Sequence, residues 1–147
     1  MYIALKYKDF ITKSNLNFYL NLILITQWWD IVDAVAINLV GKVMFSNHKF
    51  KQILNSWIKH KNMWIRRTAI LCQLKYKLNT NQDLLYKLIL MSAKEEEFFI
   101  RKAIGWALRE YSKTNPKSVK KFIKKNSSKL SSISIREGMR RIKELRN

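Results

Sequence analysis

Only three glycines and one proline interrupt the 147 residues, and this scarcity constrains the fold more than any other feature. Hairpin turns, phosphate-cradling loops and nucleophile elbows depend on glycine or proline at fixed offsets, so a sheet-rich fold is not expected. Apolar residues instead recur at helical spacing along nearly the whole chain. Short polar joints break that pattern at Ser14-Asn15, Ser46-Asn47, Lys59 to Asn62, Asn79 to Gln82, Ser92 to Glu95, Lys113 to Pro116 and Asn126 to Ser128. The reading is an all-α chain of about eight or nine helices, two to four turns each. With 48% hydrophobic residues the chain can bury one core, so a single domain over 1–147 is expected.

A shift of the sequence by 34 positions superimposes Val35, Ala69 and Ala103, then Val40, Leu74 and Leu108. Polar positions coincide as well: Asp33 with Arg67 and Arg101, and Lys75 with Arg109. A helix-pair unit of this length belongs with the α-solenoids, in which each unit packs on its neighbours and one layer of helices lines a concave surface. The alternative is an irregular helical bundle with coincidental spacing.

Lys and Arg number 29 against 10 acids, a formal charge of +19 that attracts polyanions. The segment Lys113 to Asn147 alone carries twelve cations against Glu137 and Glu144, more than solubility requires, and phosphate contacts are the economical explanation. An anionic membrane surface would need a basic helix with a broad apolar face, and Ile123 and Ile135 to Leu145 offer too narrow a stripe. The longest apolar run, Leu16 to Thr26, is about half the length a spanning helix needs. The N-terminus, MYIALKYKDF, has no signal-peptide pattern, so a soluble, cytoplasmic protein is expected. A single Cys72 excludes an internal disulfide, and His48 and His60 do not complete a structural zinc site, so neither metal nor cofactor is expected.

Within the helix Ile100 to Tyr111, the residues Ile100, Ala103, Ile104, Ala107, Leu108 and Tyr111 form one apolar stripe that must face the core. Trp106 lies well over 100° from the centre of that stripe, on the side carrying Lys102 and Arg109, so an indole is displayed among cations. Trp57, Trp28 and Trp64 are read as core. In the helix beginning at Trp29, Asp33 is the i+4 neighbour of Trp29 and shares a line with Ala36 and Val40. A carboxylate on an apolar face is expensive to bury without a partner. Asp33 is either a complement to the helix dipole, as Asp30 is, or a functional acid, and the residues alone leave both open. The helix Met63 to Tyr76 is apolar on several sides and reads as central, with Cys72 a buried hydrophobe and not a nucleophile. Glu95, Glu96 and Glu97 precede a helix start as ordinary dipole complements.

The strings Trp28-Trp29-Asp30-Ile31-Val32-Asp33, Asn62-Met63-Trp64-Ile65-Arg66-Arg67-Thr68-Ala69-Ile70-Leu71 with Gln73-Leu74-Lys75-Tyr76-Lys77, and Glu97-Phe98-Phe99-Ile100-Arg101-Lys102-Ala103-Ile104-Gly105-Trp106-Ala107-Leu108-Arg109-Glu110-Tyr111 resemble the AlkD-like DNA alkylation repair enzymes. The similarity runs from near the start to about Glu137 and preserves the order of all three strings. It implies a HEAT-like α-solenoid with a concave basic groove. Residues 28–112 form its core repeats, 113–147 its basic C-terminal helices, and 1–27 an incomplete N-terminal repeat whose front, Tyr2 to Phe10, exposes core surface.

The resemblance further implies a monofunctional DNA glycosylase that hydrolyses the N-glycosidic bond of N3- or N7-alkylated, positively charged purines in duplex DNA, acting as a monomer. Asp33 would be its catalytic carboxylate, with Trp29 and Trp106 stacked against the cationic sugar. Arg67, Lys75 and Arg109 would face the DNA, joined by Lys102 and the basic C-terminal segment on phosphates. The alternative is a non-catalytic helical-repeat DNA-binding module or a truncated, inactive member.

Overall fold

The computed structural model describes residues 15–46 and 51–144, with the side chains of residues 143 and 144 left aside. The front of the N-terminal repeat, Met1 to Ser14, lies outside the described residues. All regular structure among the described residues is helical. The helices are α1 (Leu16–Thr26), α2 (Trp29–Val35), α3 (Gly41–Ser46), α4 (Lys51–Trp57), α5 (Met63–Leu71), α6 (Gln82–Ser92), α7 (Phe98–Ser112), α8 (Pro116–Lys125) and α9 (Ser132–Glu144). A π-helical turn, Ala36–Val40, joins α2 to α3 without a break, and a 3-10 turn, Lys77–Asn79, precedes α6.

The polar joints act as capping sites. Asn62, Asn81 and Asn115 each precede a helix, and their side-chain oxygens accept from the amides of Trp64 (2.9 Å), Leu84 (3.0 Å) and Ser118 (3.1 Å). Each bond satisfies one of the donors that a helix start leaves orphaned. Pro116 takes the first turn of α8, where its missing N–H costs nothing. Asn81 and Asn115 are themselves one repeat length apart.

The chain forms two compact units, Met1–Lys75 and Tyr76–Asn147. In the first, α5 is the central helix, packed against α1, α2, α4 and the π turn. The buried line Val32, Val35, Ala36, Leu39 and Val40 continues through the wide turn into Val43 and Met44. The expected helix Met63 to Tyr76 ends earlier, at Leu71, and the chain turns through Cys72 to Lys75, with Lys77 at a left-handed φ of 52°. The helix stops where the Cys72 carbonyl lies against Gly41, so close that a Cβ on residue 41 would collide with that oxygen. Cys72 is fully buried, and burial pushes its thiol up to about 12, the environment of an inert hydrophobe.

Trp57 and Trp64 are buried as expected, whereas Trp28 is 58% exposed. The physical reason is local. Gln27 closes α1 in the left-handed region (φ 41°), its amide bonded to the Ile23 carbonyl, and Trp28 is extended before α2 starts. Trp28 therefore rides on neither helix's apolar face.

In the second unit α7 packs along α9, and α8 packs on both. Ser134 Oγ donates to the Arg101 carbonyl (2.9 Å) across the α7–α9 contact. Gly105 and Gly138 let the two backbones approach: a Cβ on Gly105 would meet Glu137 Cβ at 2.6 Å, and one on Gly138 would meet Leu108 Cβ at 3.0 Å. Tyr86 of α6 stacks on Phe122 of α8, ring centroids 4.0 Å apart. No described helix is long and apolar enough to cross a membrane, and no three His, Cys, Asp or Glu among the described residues are placed to hold a metal ion.

The Gly41 contact yields a direct prediction. Gly41→Ala forces a Cβ onto a backbone carbonyl that cannot rotate away, so denaturant unfolding should show a loss of about 1–3 kcal/mol. A neutral or stabilising change would mean that α3 and the end of α5 are not in this contact.

Candidate functional site

Asp33 and Arg67 meet in the first unit. Arg67 Nε donates to Asp33 Oδ1 at 2.7 Å and Nη2 donates to Oδ2 at 2.8 Å, a two-pronged pair. The side chains are 5% and 8% exposed for Arg67 and Asp33, respectively. Helix α2 delivers Asp33 one turn after Trp29, and the central helix α5 delivers Arg67 from 34 residues along the chain, one repeat unit. The partner that a buried carboxylate requires is thus supplied by the next repeat. A carboxylate out of water without such a partner is costly. Here the guanidinium fork matches the carboxylate and fixes the plane of its two oxygens.

Around this pair the first unit presents groups at the surface. Trp29, on the same face of α2 as Asp33, is 46% exposed. Past Asp33 the π turn carries Asn38, whose Nδ2 donates to the Ala34 carbonyl (3.0 Å), which turns Oδ1 outward to accept from Lys75 Nζ (2.7 Å). Such wide turns recur at functional sites. Arg66, beside Arg67 in sequence, does a different job: its Nη1 donates to the carbonyls of His60 (2.7 Å) and Lys61 (2.9 Å) and ties down the loop before α5. The first unit thus carries a buried, ion-paired carboxylate one helical turn from a half-open indole, and an ordered ammonium on Asn38. It can stabilise a positive charge developing in a bound molecule.

In the second unit α7 carries Lys102, Trp106 and Arg109. Glu137 of α9 reaches between the two cations, with Arg109 Nη1 donating to Oε2 at 2.9 Å and Lys102 Nζ lying 3.4 Å from Oε1. Gly105, between them on α7, gives the α9 backbone room to bring Glu137 in. Trp106 is half-buried.

The family model described as DNA alkylation repair enzyme matches residues 1–142. The chain belongs to the DNA alkylation repair enzyme family. Among solved structures it is similar to a predicted DNA alkylation repair enzyme from Enterococcus faecalis, with 36% identity and a TM-score of 0.75 over 95% of this chain. The chain spans 66% of the length of that relative. No curated protein matches it.

Within this repair-family chain the structure corrects one expectation about the site. Arg67 does not stand open to a ligand; it is buried against Asp33, because the carboxylate's need for a counter-charge outweighs exposure of the guanidinium. Lys102 and Arg109 share Glu137, and Trp106 is half-buried beside them on α7, along which α9 packs. Lys75 is exposed, as a surface contact must be. Asn38, Gly105 and Glu137 were given no site role in the sequence. One of only two acids in a basic run was the available signal for Glu137, and the glycine inside a helix the signal for Gly105.

The ion pair makes a stability prediction. Arg67→Met leaves the Asp33 charge buried and unmatched, and unfolding should lose about 3–5 kcal/mol, whereas Asp33→Asn with Arg67→Met together should recover much of that loss. A loss below about 1 kcal/mol for Arg67→Met would show that the pair is solvated in solution.

Proposed function

We propose that the chain is a DNA glycosylase that releases N3- or N7-alkylated, positively charged purines from duplex DNA. The observation that carries this reading is the Asp33–Arg67 pair: a buried carboxylate held in a fixed orientation, one helical turn from a half-open indole. The alkylated base is already cationic and is a good leaving group without an acid catalyst. As the C1′–N bond breaks, its electron pair neutralises the base, and positive charge appears on the sugar. A fixed carboxylate beside the sugar stabilises the charge that moves onto it in the transition state more than it stabilises the ground state, where the charge lies on the base and the sugar is neutral, the differential that lowers a barrier. Water then adds at C1′ and gives up its extra proton to solvent. One carboxylate is enough.

In this reading Asp33 is the catalytic group and Arg67 a positioning residue that fixes its orientation. Trp29 offers a ring face to the cationic sugar, an interaction worth about 0.5–2 kcal/mol. Trp106, by the family resemblance, has a stacking role on the nucleotide. Lys75 holds a phosphate from its Asn38 seat, and Lys102 and Arg109 exchange Glu137 for phosphate oxygens. The burial of Asp33 favours a second reading, a non-catalytic helical-repeat DNA-binding module in which the pair is only a tie between repeats.

Release of 7-methylguanine from methylated duplex DNA separates the two. The wild type should release base above the spontaneous rate, and Asp33→Asn should lose at least about 100-fold while still binding duplex. Salt-sensitive duplex binding with no release by the wild type, or an Asp33→Asn variant as active as wild type, defeats the glycosylase reading.

A further inference from the structure

We infer that the outer face of α8 is a second binding strip for the backbone of a nucleic-acid duplex, separate from the α7 face. Val119, Phe122 and Ile123 are buried, and the exposed Lys117, Lys121 and Lys124 fall at i, i+4 and i+7, about 180° round the helix from that apolar group. Lys125 is exposed on the flank. None of these four lysines pairs with an acid among the described residues.

The reason lies in the distribution of carboxylates. Between Tyr111 and Lys143 the chain has a single acid, Glu137, and it is turned inward onto Lys102 and Arg109. Glu110, the nearest acid before α8, is taken by Lys113 at 2.8 Å. The outer face of α8 is left uncompensated, and solubility alone does not need a stripe of one sign. From Lys117 to Lys124 the helix rises about 10 Å, a length over which one strand of a duplex presents about three phosphates. Three lysines match three phosphates.

Two observations fix the partner and the face. Every large apolar side chain of α8 points inward, so nothing remains to enter the acyl region of a bilayer, and a membrane surface is disfavoured. Phe122 stacks on Tyr86, whose ring meets Tyr111 of the α7 apolar stripe edge-on, so α8 lies over that stripe. Lys102, Trp106 and Arg109 lie more than about 100° round α7 from the stripe, so the lysine strip and the Trp106 side face different ways. Its standing as a second duplex site rests on the proposed function; its affinity for phosphates does not. The strip gives the protein a hold on a neighbouring stretch of undamaged duplex, and with it a route for direct transfer between DNA segments.

The test uses the full chain and its Lys117→Gln/Lys121→Gln/Lys124→Gln variant, whose changes are all at exposed positions. Binding of a short undamaged duplex is followed by anisotropy over a salt series, and the stoichiometry by sedimentation at low salt. The wild type should bind two duplexes per chain and the variant one. The slope of log affinity against log salt should flatten by about 2–3 in the variant. One duplex per wild-type chain, or a slope that does not move, overturns the inference. So does loss of binding to phosphatidylserine vesicles with duplex binding intact. A wild type that is inert on methylated DNA yet shows both changes defeats the glycosylase reading and leaves the strip standing.

Discussion

An aspartate taken out of water has to be matched by a positive charge or give up its own, and the Asp33–Arg67 pair is how this chain meets that constraint. The pair does two things at once. It ties α2 to the central helix α5 across one repeat length, so the relation between consecutive helix pairs is fixed by a directional contact as well as by apolar packing. It also leaves a carboxylate whose orientation is set before any ligand arrives. Preorganisation of this kind is what electrostatic catalysis requires, since a group that must reorient during the reaction surrenders much of its advantage.

A second ion-pair cluster follows the same logic in the other unit. Glu137 draws Lys102 and Arg109 together across the gap that Gly105 leaves, and α9 seats on α7 there. In each unit one acid is thus held between helices, Asp33 in the first and Glu137 in the second, while the outer face of α8 carries Lys117, Lys121 and Lys124. With a net charge of +19 the chain keeps a long-range attraction for polyanions beside these internal ties.

Much of the fold was legible in the sequence because few features competed. With almost no glycine or proline, helical periodicity had no rival signal, and the polar joints mark helix starts through the caps at Asn62, Asn81 and Asn115. The end of α5 was less legible: apolar spacing continues to Tyr76, and only the approach of Gly41 to the Cys72 carbonyl, a contact between distant residues, ends the helix at Leu71. At the candidate site, the 34-residue overlay brought Asp33 and Arg67 to equivalent positions but could not tell whether the arginine turned outward to a phosphate or inward to the acid. That choice depends on burial, which periodicity does not report. Trp28 misled for a related reason, since a left-handed Gln27 breaks the helical phase just before it.

In the proposed glycosylase Arg67 acts on chemistry only through Asp33, and a double-mutant cycle in single-turnover base release reads that dependence directly. With Asp33 intact, Arg67→Lys should slow release markedly, because an ammonium does not reproduce the two-pronged hold. In an Asp33→Asn background the same change should slow it no further, so that the two losses do not multiply. Losses that multiply in full would show that Arg67 serves the reaction independently of the carboxylate, and would contradict the account.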